Sequence, residues 1–398
     1  MSSPPYAGTP PVVAGPGDLL DLIRSGRAGT RADLRRLTGL SRTAVSARLD
    51  ALAGLGLVQE GGTAESTGGR PPARLSFHRQ AGVVLAVAIG RSRVQLAVCD
   101  LSGAVLAAAD VDQEVGAGPD QVMPRVVAVL RDLLDEAGRG AGDVRAFGVS
   151  IPGTVDRDRG VSHDSQLMTG WDGVPLSRWL TDLAAAPVLV DNDAAVLALS
   201  EQVDGQEGRE NLLALKVSTG LGAGIVADGR LVRGGRGAAG EIGHVKTVAA
   251  EGRTCRCGEV GCLEAVAGGW ALVEAMREQG REVGHIRDLV ALAVEGDAEA
   301  RRLIRESGRR YGEVLGAVVT ILNPDVLVIG GDVLPAYETF VAGMRETVYA
   351  QGTALATKDL RIEPARHGEQ AGLVGCAAMA LEEILNPRAV DLAVSRAD

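Results

Sequence analysis

Apolar positions along the 398-residue chain fall into three regimes. Residues 1–17, Met-Ser-Ser-Pro-Pro-Tyr-Ala-Gly-Thr-Pro-Pro-Val-Val-Ala-Gly-Pro-Gly, lack the periodicity needed to bury a face and read as a disordered arm. From residue 18 the spacing becomes helical. Leu19, Leu20 and Ile23 make the apolar side of a helix ending near Gly26. Thr30 caps a second helix, with Asp33 in its first turn, Leu34 and Leu37 facing inward and Gly39 as its stop. A third, Arg42 to about Ala53, sets Val45, Leu49 and Leu52 at i, i+4 and i+7. It leaves Arg42, Thr43, Ser46 and Ala47 on the other face, with Arg48 beside them.

Three helices so spaced predict a helix-turn-helix, whose last helix enters the major groove by its exposed N-terminal part. Small and hydroxylated residues let that helix approach base edges, and arginines reach guanine or phosphate. Three-helix units also occur in proteins that touch no DNA, so the next stretch matters. Gly54-Leu-Gly-Leu-Val58 leads into a strand, and Ala73 to Phe77 returns as a second, which makes a β-wing and completes a head over residues 18–79. The wing tip, Gly68-Gly-Arg-Pro-Pro72, offers Arg70 on an extended arm suited to a narrow minor groove; otherwise its glycines and prolines mark a hinge.

From Ala81 the pattern turns α/β. Val83–Ile89, Val94–Cys99 and Val105–Ala109 read as strands joined by tight turns. A helix at Pro119–Ala137, a buried strand at Val144–Ser150 and a strand at Val188–Val190 follow, the last delivering Asp191-Asn-Asp193 at its carboxyl end, where α/β proteins bind ligands. Near residue 212 the motif repeats as a strand, a glycine turn over Ser218–Gly224 and a hairpin. This weak repeat predicts two similar lobes around a cleft, one of about 80–195 plus a C-terminal helix at about 372–385, the other of about 196–371. Helices are expected at Gly269–Glu278, Ile286–Ala293, Ala298–Leu322, Tyr337–Tyr349 and Gly372–Ile384, and a strand within Asn323–Gly331.

Charge adds to this division. The chain carries −10 overall, yet residues 18–78 hold nine arginines against six acids, leaving −13 elsewhere. A small basic module on an acidic body fits a DNA-reading head on a sensor domain, although ordinary scatter gives similar numbers. No apolar run approaches the roughly 18–20 residues of a membrane span, and residues 1–17 are too rich in Pro and Gly for a signal segment. A cytoplasmic protein without membrane partners is expected.

Three of the five cysteines, Cys255, Cys257 and Cys262, lie within eight positions, and His244 stands eleven residues upstream. Four such donors close a tetrahedron around Zn²⁺, so the stretch from Gly240 to Glu264 reads as a structural zinc site. A disulfide would leave one of the clustered thiols unpaired.

With these residues placed, the chain resembles the ROK family of repressors and sugar kinases over roughly residues 16–385. The likeness is carried by Glu241-Ile-Gly-His244, then Cys255-x-Cys257-x4-Cys262-x-Glu264, and by the order of Pro152-Gly153, Asn192-Asp193 and the glycines at 220–224. The resemblance implies an actin-like (ribonuclease H-like), two-lobed sugar-kinase fold with zinc on His244, Cys255, Cys257 and Cys262. It also implies that Asn192, Asp193, Glu241, His244 and Glu264 face a sugar between the lobes. Family kinases carry Asp-x-Gly-Gly-Thr on the first hairpin; here the stretch reads Ala88-Ile-Gly-Arg-Ser92, without the acid and with Arg91 in place of a glycine. Asp193, which matches the family's catalytic base, and Gly220, Gly222 and Gly224 of the second phosphate loop remain.

The expectation is therefore a sugar-responsive repressor, not an enzyme, with Asp193 a vestigial base. It would bind an inverted-repeat operator as a homodimer or homotetramer. The alternative is an active ATP-dependent hexose or N-acetylhexosamine kinase bearing a regulatory head.

Overall fold

A computed structural model of the chain describes residues 14–63, 73–163, 168, 170–203 and 209–397. Contacts divide it into two compact units: Met1–Val83 with Asp100–Ala104 and Leu381–Asp398, and Val84–Cys99 with Val105–Ala380.

The first unit opens with α1 (Pro16–Arg24), α2 (Arg31–Thr38) and α3 (Arg42–Gly54), then the antiparallel pair β1 (Val58–Thr63) and β2 (Ala73–Phe77). The caps are those the sequence indicates. The Thr30 hydroxyl accepts from the Asp33 N–H at 3.1 Å, Gly39 ends α2 at φ +71°, and Ser41 accepts from the Ala44 N–H at 3.2 Å. Val45, Leu49 and Leu52 are buried as expected. Leu37 is not: it is 39% exposed while Leu34 is fully buried. Three residues along a helix turn it by about 300°, which carries Leu37 off the narrow stripe that Leu34 defines. Most of the expected arm, residues 1–13, lies outside the described residues, but the helix already begins at Pro16 and Gly17 is buried. The wing tip with Arg70 also lies outside the described residues.

The second unit contains two five-stranded sheets of matching plan. In the first lobe, β3 (Val83–Ile89), β4 (Arg93–Asp100) and β5 (Val105–Asp112) precede α4 (Pro119–Glu136), β6 (Val144–Ile151), the small hairpin β7 (Thr154–Asp156) and β8 (Val161–His163), α5 (Ser177–Leu180), β9 (Val188–Asn192) and α6 (Asp193–Ser200). In the second, β10 (Leu212–Val217), β11 (Leu221–Ala227) and β12 (Arg230–Val232) precede α7 (Glu264–Ala267), α8 (Gly269–Glu278), α9 (Ile286–Glu295), α10 (Ala298–Leu322), β13 (Val326–Gly330), α11 (Tyr337–Gln351), α12 (Ala354–Thr357), β14 (Arg361–Pro364) and α13 (Ala371–Leu385). The strand orders are β5-β4-β3-β6-β9 and β12-β11-β10-β13-β14, so each lobe places its first strand at the centre and its second and third outward from it. The weak repeat in the sequence is this doubled sheet.

The glycine stretch at 218–224 is mostly strand. β11 starts at Leu221, so Gly222 and Gly224 lie inside the sheet. A Cβ on Gly224 would stand 2.3 Å from the Ala194 carbonyl, and one on Gly222 3.1 Å from the Ala194 Cβ. These glycines let α6 settle directly on the sheet.

Beyond Leu385 the chain forms one further helix, α14 (Pro387–Ala397), which the apolar periodicity did not indicate. It belongs to the first unit and packs on α1 at backbone distance: a Cβ on Gly17 would meet the Pro387 carbonyl at 2.0 Å, and the Gly17 N–H donates to Asp391 Oδ1 at 2.8 Å. Among the described residues no helix is long and apolar enough to cross a membrane.

Candidate functional site

Between the lobes of the second unit lies a cleft of about 1100 Å³. Asn192, Asp193, Glu241, His244 and Glu264, named from the sequence, all line it. Their hydrogen bonding separates them into two kinds.

Asn192 and Glu264 each hold part of the fold. Asn192 caps α6, its Oδ1 accepting from the N–H groups of Ala194 at 2.8 Å and Ala195 at 3.1 Å, while Nδ2 donates to the Gly153 carbonyl at 2.8 Å. Glu264 is only 3% exposed. Its Oε2 accepts from the Leu221 N–H at 2.9 Å and its Oε1 from the Trp270 indole at 3.1 Å. The Arg256 guanidinium in turn lies 4.7 Å from the Trp270 ring centre. Glu264 thus braces the start of β11 and is itself tied to the cysteine loop.

Asp193, Glu241 and His244 keep capacity for a ligand. Thr154 donates to Glu241 Oε1 at 3.2 Å, and burial raises the Glu241 carboxyl above its ordinary range. Asp193, the first residue of α6, is ion-paired through Oδ2 with Lys216 on β10.

The hairpin between β3 and β4 carries Arg91, half-buried in the cleft, where burial lowers its pKa against the opposing pull of Glu264 and Glu114. Ser92 next to it contacts His285 Nε2 at 3.2 Å, and Thr219 of the glycine turn contacts the same nitrogen at 3.1 Å. Because His285 Nδ1 accepts from the Arg287 N–H at 3.2 Å, Nε2 carries the proton and donates. Burial holds this imidazole below the usual histidine range.

Beside the cleft, His244, Cys255, Cys257 and Cys262 gather so that one donor atom from each lies within 4.8 Å of all the others. Cys257 and Cys262 Sγ are 3.7 Å apart, and Cys255 Sγ is 3.9 Å from His244 Nδ1. A tetrahedron with metal–sulfur bonds of about 2.3 Å has edges of about 3.8 Å, so the four donors fit a bound metal ion. As free thiols the cysteines resist ionisation: burial pushes Cys255 up to about 12 and Cys262 upward as well. A cation supplies what thiolates need there. Lys246 Nζ, 3.2 Å from Cys262 Sγ, adds a positive charge against a thiolate-rich cluster.

In the head, Arg42, Thr43 and Ala47 are exposed at the start of α3. Ser46 and Arg48 behave differently from the expected base-reading set. The Ser46 hydroxyl accepts from Arg31 at 2.8 Å, and the same guanidinium is ion-paired with Glu60 on β1. Arg48 turns back to the carbonyls of Ala14 at 2.8 Å and Ala44 at 3.1 Å.

Sequence reasoning missed Lys216, Thr154, Trp270, His285 and Arg31. For Lys216 a signal existed, a lone lysine in the otherwise apolar strand Leu212–Val217. Thr154, His285 and Arg31 depend on which distant segments meet, and Trp270, only six residues from Glu264, on how α8 turns back on α7.

Two doubled α/β lobes around a polar cleft with a Cys3His loop define the sugar-kinase-like class of fold. The chain belongs to the ROK family, whose match spans residues 84–383. It is 27% identical to the xylose repressor of Caldicellulosiruptor bescii over 382 residues, 92% of this chain and 95% of that one. A crystal structure of a ROK family transcriptional regulator, a homologue of the E. coli Mlc protein, superposes with TM-score 0.78 at 26% identity, covering 96% of this chain and 98% of that one. A ROK family glucokinase from Streptomyces griseus, solved with glucose and AMPPNP, superposes with TM-score 0.65 at 27% identity over 75% of this chain and 99% of its own.

Proposed function

We propose that this chain is a sugar-responsive, DNA-binding transcriptional repressor of carbohydrate metabolism that senses a sugar or sugar derivative without phosphorylating it. The observation that carries the reading is the presence, in one chain, of a winged head with Arg42, Thr43 and Ala47 exposed on α3 and a cleft lined by Asp193, Glu241 and His244. The repressor and regulator relatives cover 92% and 96% of this chain, a share that must take in most of the head, whereas the glucokinase covers 75%. Residues 18–79 are the DNA-reading part and residues 80–398 the sensor, apart from α14, which packs on α1 of the head. Arg70 would follow the minor groove.

The loss of an acid at Ala88 and the presence of Arg91 support binding without phosphoryl transfer, since a nucleotide phosphate would meet a side chain where backbone amides are needed. Zn²⁺ is the ion for His244, Cys255, Cys257 and Cys262: four N and S donors with no open position make a structural site. The zinc would fix the His244 ring so that it meets the sugar. A homodimer or homotetramer acting in the cytoplasm on an inverted-repeat operator completes the reading.

The test is direct. Duplexes enriched from a random-sequence pool by the full-length protein should be inverted repeats, and one member of a panel of sugars and sugar phosphates should change their affinity. Affinity unmoved by every member would end the sensing part of the reading. A kinase reading is favoured by the retention of Asp193 in the cleft, and it predicts sugar-dependent ADP release lost in Asp193→Asn. No turnover with any hexose or N-acetylhexosamine removes it.

A further inference from the structure

Lys216 lines the cleft but stands outside the motif residues that carry the family likeness. The amide of Asn192 and the carboxylate of Glu264 are already engaged by backbone groups and Trp270. The pair formed by Lys216 and Asp193 is different. Lys216 Nζ gives one N–H to Asp193 Oδ2 and has no other partner among the described residues, which leaves two donors, and Asp193 Oδ1 accepts from none of them. Both side chains reach the cleft, 25% and 18% exposed.

The sheet is built to allow this. On β10, Lys216 stands opposite Gly222 of β11 on one side and Gly330 of β13 on the other. A Cβ at either position would press on α6, at 3.1 Å from Ala194 and 2.8 Å from Leu197. Glycines at both flanks therefore bring α6 down over the strand, so that its first residue, Asp193, meets the lysine.

We propose that Lys216 is a ligand-contacting, specificity-determining residue, and that the Lys216–Asp193 pair binds a vicinal diol of a carbohydrate. One hydroxyl oxygen accepts from the ammonium, and its neighbour donates to Asp193 Oδ1. A hydroxyl can serve both groups, whereas a deoxy position strands a desolvated charge, so the pair discriminates by presence of hydroxyls. The proposal rests on the reading of the cleft as a sugar site and extends it to a residue and a functional group.

The experiment titrates D-xylose, D-glucose and N-acetyl-D-mannosamine into the full-length protein, its Lys216→Met and Lys216→Arg variants and Asp193→Asn. The same titrations are then run with monodeoxy analogues of whichever sugar binds. Lys216→Met, nearly the same volume between two glycines, should melt close to the unmodified protein and bind the sugar at least tenfold more weakly. Lys216→Arg should recover part of that loss. One deoxy analogue should lose affinity for the unmodified protein and no further affinity for Lys216→Met, as a direct contact requires. Unchanged affinity in Lys216→Met overturns the proposal, and so does an equal loss for every analogue, which would make Lys216 only a support for Asp193. If the unmodified protein binds none of the three sugars, the sugar-site reading itself fails for them, and the diol contact fails with it.

Discussion

His244 presents its two ring nitrogens to different neighbours: Nδ1 lies 3.9 Å from Cys255 Sγ, and Nε2 lies 3.8 Å from Glu241 Oε2. One imidazole therefore belongs to both the cysteine cluster and the cleft. Whatever fixes Nδ1 also fixes the direction in which Nε2 points, because the ring is rigid and only its two χ angles are free.

Metal loss should thus appear as a binding defect as well as a stability defect. The full-length protein is expected to carry about one Zn²⁺ per chain. Cys257→Ser removes a direct ligand and should lower metal content, melting temperature and sugar affinity together. Elemental analysis of protein purified without chelators, followed by calorimetry, checks all three. A variant that loses metal and melts earlier but binds sugar normally would separate His244 from the ligand.

Glu264 supports a second prediction. Its oxygens satisfy the Leu221 N–H and the Trp270 indole in a nearly closed environment. Glu264→Gln must set an amide NH2 against one of those donors, and a buried donor left unmatched costs about 1–3 kcal/mol. Trp270→Phe removes one hydrogen bond and should cost about 1 kcal/mol. Thermal unfolding at pH 7 measures both. If Glu264→Gln instead melts normally and loses sugar binding, the carboxylate acts on the ligand and not on β11.

Much of this architecture is written locally in the chain. Caps at Thr30 and Ser41, the i, i+4, i+7 spacing of Val45, Leu49 and Leu52, and α10 at Ala298–Leu322 follow from signals within a few residues of each other. The Cys3His cluster is equally local, since its cysteines share one short loop. Gly222 and Gly224 read in sequence as a phosphate loop because a glycine at a phosphate turn and a glycine under a helix look alike there. Only the approach of Ala194 tells them apart. Lys216–Asp193 and Trp270–Glu264 were illegible for a related reason: each joins side chains whose meeting is decided by how α6 and α8 pack. The motif marks Asn192 and Glu264 as site residues, but it cannot reveal that Asn192 also caps α6 and that Glu264 also accepts from the Leu221 N–H and the Trp270 indole.

The bridge between Ser92, His285 and Thr219 should make stability depend on pH. Burial holds the His285 pKa below the usual histidine range, so the folded chain prefers the neutral ring, against the effects of Asp332 and Asp288. As pH falls through about 6.5 the unfolded chain takes up a proton first, and the stability contributed by the neutral ring is lost progressively down to the folded pKa. Protonation also places a hydrogen on Nδ1, where the Arg287 N–H now donates. His285→Asn keeps a capping oxygen at the start of α9 but cannot titrate. Between pH 7.5 and 5 the melting temperature should fall more steeply for the unmodified protein than for this variant. Parallel curves would exclude His285 as the titrating group.

In the head, the Arg31 guanidinium touches the recognition helix at Ser46 and the wing strand at Glu60. At 39% and 43% exposure, the ion pair is expected to contribute only about 0.2–1 kcal/mol. On the proposed DNA-binding reading its larger consequence is geometric, because Arg31 ties α3 to β1 and so fixes the angle at which the two would meet a duplex. Glu60→Gln should therefore leave the melting temperature nearly unchanged. It should nevertheless weaken binding to a duplex selected by the unmodified protein, and raise hydrogen exchange along β1. Arg31→Met should do both more strongly, since it also frees Ser46. The salt dependence distinguishes the causes. If Arg31 only orients the wing, both variants retain the slope of affinity against salt; if Arg31 contacts phosphate, Arg31→Met flattens it by about one unit while Glu60→Gln does not.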